Sequence, residues 1–91
     1  MTTLTAKITL AAPFCRSLKD KRMIIRSIVD KTRHKYNVSI AEIEAQDIHQ
    51  TIVIGIAVVS GSAAHAQTVI DDVLRFVENR TGAEVTRIEI S

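Results

Sequence analysis

The sequence is short of most residues that announce a chemistry. It holds one cysteine, Cys15. A lone thiol cannot close an intramolecular disulfide and fits a reducing compartment, so a cytoplasmic location is expected. Tryptophan is absent, and the aromatics are Phe14, Tyr36 and Phe76. None falls mid-strand in the reading below, which excludes stacking of bases on a sheet. The three glycines stand isolated at 55, 61 and 82, so there is no glycine-rich phosphate loop. No apolar run approaches the roughly 18 residues of a bilayer span. No segment combines a basic start, an apolar stretch and a cleavage site, so no secretory signal is read.

Metal and catalytic signals are equally thin. His34, His49 and His65 are scattered, with no Cys-x-x-Cys or His-x-x-x-His spacing. Neither a metal nor a cofactor is expected. Cys15 beside Arg16 near a helix start is a setting that lowers a thiol pKa, but no partner base is identifiable. A small loop residue is the better reading. Asp71-Asp72 belongs to the outer side of a helix. The chain is therefore expected not to be an enzyme, and no small-molecule substrate or membrane partner is expected.

What is present is a composition 46% apolar and 24% charged, and a pronounced separation of charge. Residues 16–35 carry a net +6, while residues 42–91 carry a net −5. The positive part is essentially one helix.

The elements follow from periodicity. Thr3–Leu10 alternates, with Leu4, Ala6, Ile8 and Leu10 on one side and Thr3, Thr5, Lys7 and Thr9 on the other, as in a half-buried strand. Pro13 ends it. Ser17 is a good N-cap, and Asp20 three residues on resembles a capping box. The helix runs to about Tyr36, with Leu18, Ile25, Ile28, Val29, Thr32 and Tyr36 on one face and Asn37 as its stop. Val38–Ala45 reads as a strand whose alternation slips near Glu42, at a bulge. After the turn 46–50, Thr51–Val59 is β and apolar on both sides, as in a central strand. Ala63–Arg80 is a second amphipathic helix with Ala66, Val69, Ile70, Val73, Leu74 and Val77 inward and Gly82 as its stop. Glu84–Ile90 is the last strand.

The order βαββαβ is that of the ferredoxin-like α+β fold, a four-stranded antiparallel sheet with two helices on one face. By length, residues 1–91 form one such domain. The second apolar side of Thr51–Val59 would face water on the bare sheet face. A homodimer through that face or through edge strands would cover it, so a homodimer is expected. Cover by a neighbouring loop is the alternative.

The first helix carries the functional signal. Lys19, Arg22, Arg26 and Arg33 fall within about 60° of one another on a 3.6-residue period. They form a basic stripe beside the apolar one, with Lys31 and Lys35 on the other flank. Lys21 lies nearer the apolar side, where its stem can snorkel. A solvated face with an Arg26–Asp30 ion pair is the plain alternative. Yet Lys19, Lys21 and Arg22 sit at the end of the helix whose dipole is already positive, where cations cost stability. Free N–H groups at a helix start form an anion site, and the misplaced cations would be rewarded when a phosphate binds. Ser17, Lys19, Lys21, Arg22, Arg26 and Arg33 are therefore the candidate RNA- or anion-binding residues. Contact would be with phosphates, salt-sensitive, and suited to a structured RNA.

Ser17-Leu18-Lys19-Asp20-Lys21-Arg22 closely resembles the S-L-K-[ED]-K-R opening of the YlxP-like family, also called domain of unknown function 503. Asn37-Val38-Ser39-Ile40-Ala41-Glu42 resembles its N-V-S-[VI]-A-E stretch. Gln46-Asp47 and Gln50 match its Q-D-x-W-Q turn, and Val58-Val59-Ser60 its strand end. The resemblance covers nearly the whole chain. It implies a ferredoxin-like fold and a bacterial cytosolic protein of unestablished biochemical function, whose members are often encoded near transcription and translation factors. His49 departs from the pattern, standing where members commonly have Trp. The expectation is a small accessory protein that binds RNA or a ribosomal subunit through its first helix. The alternative is a dimeric interaction module whose basic helix docks an acidic protein surface.

Overall fold

The computed structural model describes residues 1–91. The elements are β1 (Thr2–Ala11), α1 (Leu18–Lys35), β2 (Ser39–Glu44), β3 (Thr51–Ser60), α2 (Ala63–Thr81) and β4 (Glu84–Ile90). One antiparallel sheet takes the strand order β2-β3-β1-β4. The two long apolar strands are central and the two short polar ones are edges, the arrangement that buries the most apolar side chain.

The inner face of the sheet presents Ala6, Ile8 and Leu10 of β1 and Ile52, Ile54, Ile56 and Val58 of β3, all buried. The helices lie over this face. α1 contributes Ile25 and Ile28, and α2 contributes Ala66, Ile70, Val73 and Val77 to the same cluster. Phe76 joins that cluster from a position outside the expected inner set. Its ring meets Tyr36 edge-on, with centroids 5.6 Å apart, and ties the end of α1 to α2.

Both helices begin and end as their flanking residues dictate. The hydroxyl of Ser17 accepts the N–H of Asp20 at 3.1 Å, and the Asp20 carboxylate accepts the N–H of Arg16 at 3.0 Å. This is a reciprocal cap shifted one residue outward from the usual box. α2 is capped by Ser62 and ends at Gly82, whose φ of 67° is the left-handed conformation that glycine adopts without strain.

The slip expected near Glu42 is a register shift between Glu42 and Glu44. A second shift lies between Thr9 and Leu10 against β4. The outer face of the sheet is less bare than its sequence suggests. Val53 is buried, and Ile43, swung out by the bulge, lies against Gly55, where a Cβ would come within 3.0 Å of it. Lys7 reaches Glu44 across the sheet and Glu89 at 3.7 Å on the other side. The neighbouring strand end thus covers the Gly55 position, while Ile43 itself stays 46% exposed on that face. Among the β3 residues of that face only Val59 stays well exposed.

Candidate nucleic-acid interface

The expected site residues divide into three groups. Arg22, Arg26 and Arg33 come together. They line an open groove of about 340 Å³ between α1 and the edge strand β2, with Ile25, Val29 and Ile40 as its apolar floor. The groove exists because α1 crosses the sheet beside β2. Residues spaced by three, four and seven along the helix then share the side facing that edge. All three arginines are exposed. None is in an ion pair, and the Arg26–Asp30 pair does not form. Arg33 donates to the carbonyl of Ile40 at 3.0 Å, which holds its guanidinium over the groove.

Ser17 and Lys19 lie outside the groove. Lys19 is exposed one turn before Arg22 and Arg26, so it continues the same stripe toward the helix start. The Ser17 hydroxyl already holds a helix N–H, and Asp20 brings a carboxylate to that end. The positive pole of α1 therefore has a resident anion.

Lys21 corrects the expectation that it offers charge to a ligand. Its side chain is fully buried. The ammonium donates to the carbonyls of Ala45 at 2.7 Å and Thr51 at 3.2 Å, and lies 2.9 Å from Glu42 Oε2. Three oxygens thus surround a group with three protons to give. The Glu42 contact is electrostatic rather than a well-aligned hydrogen bond. The cation that looked misplaced on α1 is a strut that ties the helix start to both ends of the β2–β3 turn.

Other singled-out residues are structural as well. Gln50 donates to the carbonyl of Pro13 at 3.2 Å and to that of Cys15 at 3.5 Å, joining the β2–β3 turn to the β1–α1 loop. Cys15 is buried, and its thiol pKa is raised by that burial and then by the negative charge of Asp20. That is the opposite of an activated thiolate. No three His, Cys, Asp or Glu side chains converge in a way that could hold a metal ion. No helix is long and apolar enough to cross a membrane.

Comparison with known proteins agrees with the resemblance read from the motifs. Residues 3–90 match the family described as "Protein of unknown function (DUF503)". The uncharacterized protein YlxP of Bacillus subtilis (strain 168) is 39% identical over 75 residues, which is 80% of this chain and 82% of that protein. Among solved structures, a de novo designed protein with ferredoxin fold superposes with a TM-score of 0.62 at 16% identity, covering 100% of this chain and 82% of its own. The de novo designed protein Foldit4 also gives 0.62, at 12% identity, covering 99% of this chain and 97% of its own. These two likenesses speak for the fold alone.

Proposed function

The chain belongs to the DUF503 family of proteins of unknown function, a membership that assigns no activity, and we propose that it binds the phosphate backbone of a structured RNA, free or within a ribosomal subunit. The contact surface is the groove of Arg22, Arg26 and Arg33, extended by Lys19. The protein acts as a non-enzymatic accessory factor. One observation carries this reading: three exposed arginines line one groove with no carboxylate paired to any of them. Unpaired guanidinium groups in a row offer bidentate hydrogen bonds to successive phosphates. Base reading is no part of the proposal, since the outer sheet face carries threonines and an ion network instead of aromatics.

The test is binding of a structured RNA and of purified ribosomal subunits across a salt series. An Arg22→Gln, Arg26→Gln, Arg33→Gln triple variant, checked for fold by circular dichroism, runs beside the wild type. The expected result is weaker binding and a log–log salt slope smaller by about one for each lost phosphate contact. Equal binding by both proteins would overturn the groove as the interface. Binding by neither would favour an acidic protein surface as the occupant of the same groove.

A further inference from the structure

The two edges of the sheet are treated differently. At β2 the chain defends the edge. Arg33 caps the outward carbonyl of Ile40, and the bulge between Glu42 and Glu44 breaks the line of backbone groups. At β4 no such device lies beyond the register shift near Val85. Ser91 and Thr5 exchange both backbone hydrogen bonds, at 2.9 and 3.0 Å. The alternation of an antiparallel ladder then turns Glu89 and Arg87 toward β1. The N–H and C=O groups of Ile88 and Ile90 face the open edge. Their side chains are 47% and 43% exposed, on the helix side of the sheet where β4 overhangs α2.

We propose that β4 is the self-association edge of this protein: it pairs antiparallel with β4 of a second copy, with Ile88 opposite Ile88 at the dyad, into a continuous eight-stranded sheet. The charges select this register. Beyond the register shift only Ile88 and Ile90 have outward backbone groups, so the simple registers centre on Ile88, Glu89 or Ile90; the last sets Glu89 opposite Ser91 and makes no charge pair. Centring on Glu89 sets two carboxylates face to face. Centring on Ile88 sets Arg87 opposite Glu89 of the partner, twice, on the outer face and in the closely spaced non-hydrogen-bonded pairs. Arg87 already reaches Glu89 of its own strand at 3.1 Å and is 71% exposed, so it can serve both. On the helix side, Ile88 meets its copy at the dyad, beside the shallow groove that Leu74, Val85 and Ile88 line between α2 and β4. Both α1 helices, the positive segments, stay at the far ends.

The oligomeric state is measured by sedimentation equilibrium on wild type, Arg87→Glu, Glu89→Arg and the Arg87→Glu/Glu89→Arg double variant. The wild type is expected to be a dimer. Each single inversion opposes like charges across the dyad and weakens dimerisation roughly tenfold or more. The double variant restores it. Amide exchange gives a second readout: the N–H of Ile88 is protected in the wild-type dimer and exchanges freely in Arg87→Glu. A monomeric wild type, unchanged dimerisation in the single variants, or a dimer with an unprotected Ile88 amide would each overturn the proposal. None of these readouts involves RNA, so their failure is separate from failure of the arginine groove.

Discussion

At the scale of residues, Lys21 and Arg22 show how neighbours in one basic run take opposite roles. Lys21 is fully buried against Glu42 and two carbonyls; Arg22 is exposed and unpaired. Burying an ammonium costs several kcal/mol, which only a complete set of partners offsets. Removing that ammonium leaves a nearly buried carboxylate and two carbonyls without their donor. Lys21→Met is therefore expected to destabilise the fold by roughly 3–5 kcal/mol in urea denaturation. The Lys21→Met/Glu42→Leu double variant should lose clearly less, because no orphaned charge remains. An unchanged midpoint for Lys21→Met would show that the strut carries no load. The helical period placed Lys21 nearer the apolar side of α1, and that much was legible. Its partners were not. Ala45 and Thr51 are 24 and 30 residues away, and only the return of the β2–β3 turn brings them in. Two of the quoted family motifs meet at this point, since Lys21 stands in one and Glu42 in the other.

At the scale of elements, the question is where on α1 an anion would sit. The helix start has a resident carboxylate from Asp20 and a hydroxyl from Ser17, whereas the groove one to four turns on sets three arginines beside Asp30 and Glu42 with none of the three in an ion pair. Ser17→Ala separates the two places. It removes an N-cap and should cost about 1 kcal/mol of stability. It leaves RNA affinity unchanged if phosphates lie in the groove, and lowers affinity if they lie at the helix start. Filter binding on the folded variant decides between these outcomes. The elements themselves were readable because their signals are local: strict alternation in β1, a 3.6 period in both helices, glycine at the end of α2, and the slipped alternation of β2. What escaped was cover. Val53 looked as exposed as Val59 on the outer face, but it is buried, whereas Val59 and the bulge residue Ile43, which lies against Gly55, stay open. Phe76 escaped for a related reason. It lies at the margin of the apolar face of α2 and is buried by Tyr36, a residue from another element.

At the scale of the whole molecule, the two proposals combine into one geometric consequence. The arginine groove borders β2, and the self-association edge is β4, the opposite side of the sheet. Pairing β4 with its copy leaves β2 outermost at both ends. Seven inter-strand steps separate the two β2 strands, about 34 Å at the usual spacing. A dimer would then present two phosphate-binding grooves on one rigid sheet, and an RNA long enough to reach both would gain from the second contact being intramolecular. Arg87→Glu offers the measurement, because it dissolves the dimer without touching either groove. Above the dimer dissociation constant, the wild type is expected to hold a long structured RNA at least tenfold more tightly than Arg87→Glu does. A hairpin too short to span the grooves should bind both proteins with similar affinity. The Arg87→Glu/Glu89→Arg variant keeps the net charge of the wild type and restores the dimer, so it should recover the long-RNA advantage. If it does not, the loss in Arg87→Glu is one of charge and not of valence, and the two grooves work independently.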